Sequence, residues 1–296
     1  MRIAFLTCSR EAELYPDDHG ARAALEAAGA HVVPWVWDGP DVGAVDVAIV
    51  RSCWDYYEKL DAFLAFIDGI AARGVRVFNP PSVIRWNVDK AYLRDLAAHG
   101  AHVPRTAWVE AGDRTPLAEL LEANGLDEVV VKPRVSLSAV DTFRASRKSA
   151  AAVEARFASL SARKALLVQE FVPGVAHGEV SLVYLGGRYS HAVRKTPAAG
   201  DFRVQSDHGG IHERIEPDAA WVAEADRVIG ALPSLLYARV DVIASDGRLA
   251  WMELEAVDPE LFFTRDAAAA DRFAEALDVA LSRATAPPLR AWLADP

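Results

Sequence analysis

Cysteine is nearly missing: Cys8 and Cys53 are the only two in 296 residues. A single pair makes no disulfide framework and no Cys-based zinc site, so both read as ordinary reduced thiols. Long apolar runs are missing too. Nothing approaches the roughly 18 residues that span a bilayer. Met1-Arg2 leads straight into Ile-Ala-Phe-Leu-Thr, a strand pattern without the apolar centre of a signal peptide. A cytoplasmic location without membrane contact is expected. Positive charge is the third shortage: 32 Lys and Arg face 42 Asp and Glu, leaving −10, which argues against a nucleic-acid partner. Repeats and low-complexity linkers are also absent. What is present is 52% hydrophobic content, enough to bury a large core divided among two or three units.

Periodicity divides the chain into 1–85, 86–165 and 166–296. The first stretch alternates strands at 3–7, 31–36, 47–51 and 75–78 with helices at 21–28 and 60–72, the rhythm of an open, mostly parallel α/β unit. The second predicts a helix at 90–99, capped by Asn87 or Asp89 and closed by Gly100. Strands at 106–109, 128–132 and 142–144 around a helix at 116–123 then make an α+β unit. The third unit starts with a strand at 165–171 and continues in a hairpin across Gly186-Gly187. A helix at 219–231, a second hairpin and a helix at 267–282 follow, and the tail from Thr285 is expected to be loosely held.

That second hairpin, 239–256, reads RVDVIASDGRLAWMELEA. Alternation puts Val240, Val242, Ala244, Ala250, Met252, Leu254 and Ala256 on one face and Arg239, Asp241, Ile243, Leu249, Trp251, Glu253 and Glu255 on the other. The two sets align across the hairpin only if the loop is odd-numbered. A three-residue Ser245-Asp246-Gly247 loop is therefore expected, because a two-residue turn would put Asp241 and Glu253 on opposite sides. Three carboxylates on one patch repel unless a cation sits among them, and oxygen-only ligands suit Mg²⁺. A solvated acidic face is the plainer alternative.

Four further segments carry charge or edges to a site. Val129-Val130-Val131-Lys132-Pro133 delivers an ammonium to a sheet rim. Leu166–Gly174, with Gln169-Glu170-Phe171-Val172, offers an apolar strand end to a base. His191–Thr196 brings Lys195, and Gly200-Asp201-Phe202-Arg203 brings a guanidinium suited to bidentate oxyanion contact. At the end of the third strand, Arg51-Ser52-Cys53-Trp54-Asp55-Tyr56 lies where open α/β sheets bind ligands. There Arg51 would take a carboxylate and Asp55 an ammonium, between Trp54 and Tyr56, with Thr7, Cys8 and Ser9 alongside.

In this order and spacing the segments resemble the ATP-grasp carboxylate–amine ligases across nearly the whole chain. The resemblance rests on Asn79-Pro80, Asp89-Lys90, Val103–Thr106, Val130–Pro133, Val168–Val172, Glu179, Lys195, Gly200–Arg203, Asp241, Glu253 and Glu255. GDFR followed by His208-Gly209-Gly210 is similar to the ribosomal-protein glutamate ligase and glutathione synthetase branch. Arg51–Tyr56, Arg85–Lys90 and Glu253-Leu254-Glu255 with Asp258–Phe262 resemble the cyclo-ligases that close O-ureido-D-serine to D-cycloserine.

The resemblance implies an ATP-grasp fold, with an N-terminal α/β domain and two α+β subdomains enclosing an ATP cleft. It implies ATP and Mg²⁺ as cofactors, a small amino-acid-like substrate and a homodimer. Lys90, Lys132 and Ser138 would serve the phosphates, Gln169, Phe171 and Val172 the adenine, and Glu170 or Glu179 the ribose. Lys195 and Arg203 would neutralise the transferring phosphoryl group, while Asp241, Glu253 and Glu255 would hold Mg²⁺. Arg51, Ser52, Trp54, Asp55, Tyr56, Gly209, Gly210 and Glu260 would meet the substrate. Asp258, Glu260 or His208 would be the base, with His191 and His208 near the site. The sequence departs from the family twice. Glu255 stands where an Asn is usual, so it either strengthens the metal site or points away. The loop after Lys132 has no glycine, so Ser136, Ser138 and Arg134 would replace backbone amides at the phosphates. These departures also motivate an inactive nucleotide-binding alternative, and an intermolecular amino-acid ligase is the second enzymatic one.

Overall fold

A computed structural model describes residues 1–205, 209–245 and 248–283. His208, the central residues of the second hairpin loop and the tail from Thr285 lie outside them. Three sheets organise the described residues. The first is parallel, in the order β2-β1-β3-β4, from β1 (Arg2–Thr7), β2 (His31–Val36), β3 (Val47–Ser52) and β4 (Arg76–Phe78). Its central strands are buried on both sides, as parallel strands covered by helices should be. Ile3 and Phe5 enter one core and Ala4 and Leu6 the other. Helices α1 (Asp18–Ala27) and α2 (Leu60–Ala72) supply the cover.

A short helix the sequence reading did not give, α3 (Pro81–Asn87), precedes the one expected at 90–99, which is present as α4 (Tyr92–Ala98). Asp89 separates the two by accepting the Ala91 N–H at 2.8 Å. Asn87 is no cap. It donates to the Leu254 carbonyl at 2.8 Å and accepts from the Ala256 N–H at 2.6 Å. Asn79 does the same nearby, bonding the Tyr237 and Ala256 carbonyls and the Leu236 N–H. Both amides act as extra backbone for the acidic strands, which is why asparagine stands at these turns.

The second sheet, in the order β5-β8-β6-β7, joins β5 (Thr106–Val109), β6 (Glu128–Pro133), β7 (Phe143–Ser146) and β8 (Leu166–Glu170) in antiparallel pairs. Helices α5 (Leu117–Ala123) and α6 (Ala150–Ser161) pack on its core side. Strand β8 was expected to open the third unit. It completes the second sheet instead, because Leu166 and Val168 share one core with Val129 and Val131, so the boundary at 165/166 falls one strand too early. The sequence reading also passed over α6, whose Ala-rich face shows little amphipathic contrast.

The third sheet is antiparallel throughout, in the order β11-β10-β9-β12-β13. Its strands are β9 (Glu179–Leu185), β10 (Arg188–Thr196), β11 (Ile211–Ile215), β12 (Tyr237–Ser245) and β13 (Arg248–Glu255). The sequence reading missed β11 because its residues are largely exposed and show no apolar alternation. Helix α7 (Ala219–Ala231) covers one face, and α8 (Ala269–Ser282) fills the space between this sheet and the first. Phe273 of α8 meets both Phe5 and Tyr237 edge-on or tilted. No helix among the described residues is long and apolar enough to cross a membrane.

The acidic hairpin reaches the expected alignment by another route. Ser245 pairs with Arg248, so two residues rather than three separate the paired ends. The register then shifts between Asp241 and Val242, and Asp241 faces Glu253 while Arg239 faces Glu255. A bulge at Met252 therefore does what the odd loop was expected to do, since one extra residue reverses the facing of everything beyond it. The expected faces are wrong on the loop side of the bulge. Leu249 and Trp251 join Val240 and Val242 in the core, whereas Ala250 and Met252 turn to the other face with Ile243.

Candidate functional site

A cleft with a cavity volume of about 420 Å³ opens where the three sheets meet, within the ~300–1,000 Å³ usual for small-molecule sites. Period-2 alternation aims its charged residues. In β6, Val129 and Val131 enter the core while Val130 and Lys132 line the cleft. In β8, Leu166 and Val168 are core and Gln169 lines the cleft. In the third sheet, Lys195 sits opposite Glu179, and Asp241 opposite both Ser181 and Glu253. A row of charges thus crosses four adjacent strands.

The carboxylates of Asp241, Glu253 and Glu255 can each offer an oxygen within 4.8 Å of the others. Four carboxylates, those three and Glu179, stand against Lys90, Lys132, Lys195 and Arg239. Lys90 reaches Glu253 at 3.0 Å and the Ser136 carbonyl at 2.8 Å. Lys195 reaches Glu179 at 2.6 Å and Asp241 at 3.0 Å. Arg239 bonds Asp241 at 3.0 Å and also grips Glu255, so the unusual third acid turns inward and is neutralised within the hairpin. Lys132 makes no ion pair among the described residues. Burial pushes its ammonium down, with Glu253 pulling the other way.

Burial alone would raise every acid here, and the neighbours decide the outcome. Arg239 and Lys195 hold Asp241 well below the usual carboxylate range, and Lys90 and Lys132 hold Glu253 down. Burial wins at Glu255, pushed up to about 7 despite Arg239. It wins at Glu179 too, despite Lys195.

Beside this row an apolar slot forms from Val172, Val175, Val204, Ile243 and Ala250, with Phe171, Phe202 and Met252 against it. Gln169 is 1% exposed. Its Nε2 donates to Thr106 Oγ1 at 3.2 Å, and its Oε1 has no partner among the described residues. A flat apolar slot edged by a buried, unmet acceptor fits a purine carrying an exocyclic amine. The oxygen-only acid set fits a hard divalent cation.

Of the residues expected at the site, Lys90, Lys132, Ser138, Gln169, Glu170, Phe171, Val172, Glu179, Lys195, Arg203, Asp241, Glu253, Glu255, Trp54 and Glu260 line this cleft. Besides the pairs within the charged row, several of these already have partners. Arg203 is held by Asp201 of its own turn at 2.7 Å, Glu170 pairs with Arg105 at 2.6 Å and Glu179 is taken by Lys195. Arg134 turns away to Asp89 and Glu110, so it does not replace backbone amides in the loop.

The substrate expectations need more correction. Arg51 is 1% exposed and pairs with Asp18 at 2.8 Å, because two buried opposite charges gain more from each other than either would in isolation. Ser52 bonds Thr7 at 2.8 Å, Asp55 accepts from Trp37 Nε1 at 2.7 Å, and Tyr56 stacks on Phe63. Thr7 and Cys8 are equally buried, and they and Ser9 do not line the cleft. Gly209 and Gly210 form a turn outside it, where a Cβ on Gly210 would lie 2.1 Å from the Val204 carbonyl oxygen. His191 is buried against the Leu261 carbonyl at 2.9 Å. His212 lines the cleft instead. The sequence reading also missed Arg10, Glu11 and Tyr15, which follow β1, and gave no role to Arg239. The same strand-end rule that pointed to the segment after β3 applies to the one after β1.

Comparison with known proteins agrees with this geometry. Residues 3–79 match the family profile of the N-terminal domain of D-cycloserine synthetase DcsG. Residues 102–250 match the ATP-grasp domain of prokaryotic glutathione synthetase. The cycloserine biosynthesis protein DcsG of Streptomyces lavendulae is 32% identical over 93% of this chain and 98% of its own length. The crystal structure of D-cycloserine synthetase DcsG superposes with a TM-score of 0.84 at 28% identity, covering 95% of this chain and 100% of that one. The ATP-grasp ligase PsnB, complexed with a minimal precursor, Mg and ADP, shares the fold at a TM-score of 0.63 and 19% identity, covering 95% and 98%. A cleft built of buried lysines, converging acids and an apolar slot, on a chain related to DcsG along nearly all its length, belongs to an ATP-dependent carbon–nitrogen ligase of the ATP-grasp family that includes DcsG.

Proposed function

We propose that this ligase uses ATP and Mg²⁺ to activate a small amino-acid carboxylate as an acyl phosphate, and that it closes O-ureido-D-serine to D-cycloserine. The carrying observation is the facing of Asp241, Glu253 and Glu255 against Lys90, Lys132 and Lys195 at the base of one cleft. In this reading Lys90 and Lys132 bind phosphate oxygens, while the slot around Phe171 and Met252 holds adenine. Asp241, Glu253 and Glu255 would hold Mg²⁺, which would supply positive charge against the phosphates. Lys195 and Arg239 lie where they can stabilise the oxyanion of the activated carboxyl, and such positioning with charge neutralisation is most of what phosphoryl transfer requires.

The substrate carboxylate takes the γ-phosphoryl group and ADP leaves. The aminooxy nitrogen of the same molecule then attacks the acyl carbon and phosphate departs, closing a five-membered ring. With one water, the carbamoyl part is lost as CO₂ and ammonia. The test is ADP release from ATP, Mg²⁺ and O-ureido-D-serine with no second amine. Lys132→Ala and Glu253→Ala should each lower it by at least ~100-fold, on the scale of losing a key electrostatic group. A requirement for an added amine would make the enzyme an intermolecular ligase. Unchanged turnover in both variants would remove the reading altogether.

A further inference from the structure

The first sheet changes direction between β1 and β3: the chain runs outward to β2 on one side of β1 and to β4 beyond β3 on the other. Crevices at such switch points, beyond the carboxyl ends of the strands, are where open α/β sheets bind ligands. Here the segment after β1 brings Tyr15 to the cleft and the segment after β3 brings Trp54. Their rings meet edge-on at 4.7 Å. The loop after β13 closes the same corner. Trp54 Nε1 donates to the Asp258 carbonyl at 2.9 Å, and Tyr15 and Glu260 line the cleft side by side, the carboxylate's charge acting on the phenol.

Asp258 and Glu260 both line the cleft. Asp258 is only 3% exposed, and its Oδ2 has no hydrogen-bond partner among the described residues. A buried carboxylate oxygen with nothing to accept from is costly unless a donor arrives. Neighbouring cations do not supply that donor. Arg51 acts on Asp258 only at a distance, its hydrogen bonds going to Asp18 and the Pro259 carbonyl. Arg239 meets Glu260 through the backbone carbonyl, its other bonds going to Asp241 and Glu255. Two under-compensated acids beside two aromatic rings suit a compact cation with several N–H donors.

We propose that Asp258 and Glu260, walled by Tyr15 and Trp54, seat an ammonium group of the substrate and so restrict the ligase to carboxylates that carry a free amine. The inference deepens the reading above by adding a second anchor to it. The carboxylate is activated at the Arg239–Lys195 end of the cleft, and the ammonium docks at the switch-point end. It replaces the ammonium contact expected at Asp55, which is bonded to Trp37.

The test measures binding by calorimetry to the intact enzyme saturated with Mg²⁺ and a non-hydrolysable ATP analogue. The probes are O-ureido-D-serine and its N-acetyl derivative, with ADP release followed separately. The free amine should bind roughly 10- to 100-fold more tightly than the N-acetyl form, the scale of a charge-assisted bond. Glu260→Gln and Trp54→Leu should each erase most of that difference while leaving affinity for the ATP analogue unchanged. Equal binding of the two probes, or full discrimination in both variants, overturns the ammonium seat and leaves the ligase reading intact if ADP is still released. Discrimination lost in the variants without any ADP release sinks the ligase reading and keeps the seat. If neither probe binds the wild type, the seat is also overturned.

Discussion

Lys90 and Lys195 are held by the same carboxylates that would grip a cation. The cluster is self-neutralised, so Mg²⁺ alone must displace ammonium groups that have nowhere else to go. A triphosphate changes this by giving the lysines a new partner. Millimolar Mg²⁺ without nucleotide should therefore raise the melting temperature by no more than about 1 °C, whereas Mg²⁺ with a non-hydrolysable ATP analogue should raise it by about 5 °C or more. Equal shifts in a thermal melt would contradict the exchange. Glu260 makes a separate prediction. Burial, with the charge of Asp17 behind it, pushes its carboxyl up to about 7 from an ordinary 4.5. A folded-state value raised in this way favours the native state below pH 4.5, and that contribution drains away as pH climbs to 7. Ligand-free stability in urea should fall between pH 5 and pH 7 and flatten above, with a shallower fall in Glu260→Gln. An unchanged slope in that variant would show that Glu260 is not the source.

At the scale of elements, the apolar slot depends on how closely one turn can approach β12. Gly174 lies in the turn after β8, and a Cβ there would sit 2.6 Å from the Ala244 carbonyl oxygen and 2.8 Å from Ile243 Cγ2. Backbone cannot yield as a flexible side chain tip does. Gly174→Ala should push the turn and Ile243 apart at an overpacking cost of about 1–3 kcal/mol. The KM for ATP should rise more than that for the amino-acid substrate. A uniform loss of stability with both KM values unchanged would mean that the slot tolerates the shift. The acidic hairpin gives the lesson about legibility at this scale. Alternation correctly put Asp241, Glu253 and Glu255 together, but it gave the reason to the loop. A bulge leaves no sequence signal as clear as a Gly-containing turn, so Trp251 was expected beside the acids when it is a fully buried core residue. Strand β11 was missed for a related reason. An exposed strand has little apolar contrast to read.

For the molecule as a whole, Tyr237 and Arg51 join the first sheet to the loop that follows β13. The Tyr237 hydroxyl lies 2.7 Å from the Val50 carbonyl and 2.8 Å from that of Val257. Arg51 pairs with Asp18 and donates to the Pro259 carbonyl at 3.0 Å. Arg51→Met should strand Asp18 as a buried, unpaired acid and destabilise the protein by about 3–5 kcal/mol in urea unfolding. In the fraction that folds, the KM for substrate should stay within about threefold, unlike a change at a substrate contact. A large KM effect with normal stability would restore the role expected of Arg51. What the sequence by itself determined was the order of most of the strands along the chain and the shared facing of Asp241, Glu253 and Glu255. These follow from alternation and spacing, which are local properties of a chain. Only the tertiary structure decided that the loop after β13 and the segment after β1 share a corner, and that Arg51 is sealed by residues up to 208 positions away. Burial and ion pairing at such separations depend on how sheets pack, and no pattern within one segment carries that information.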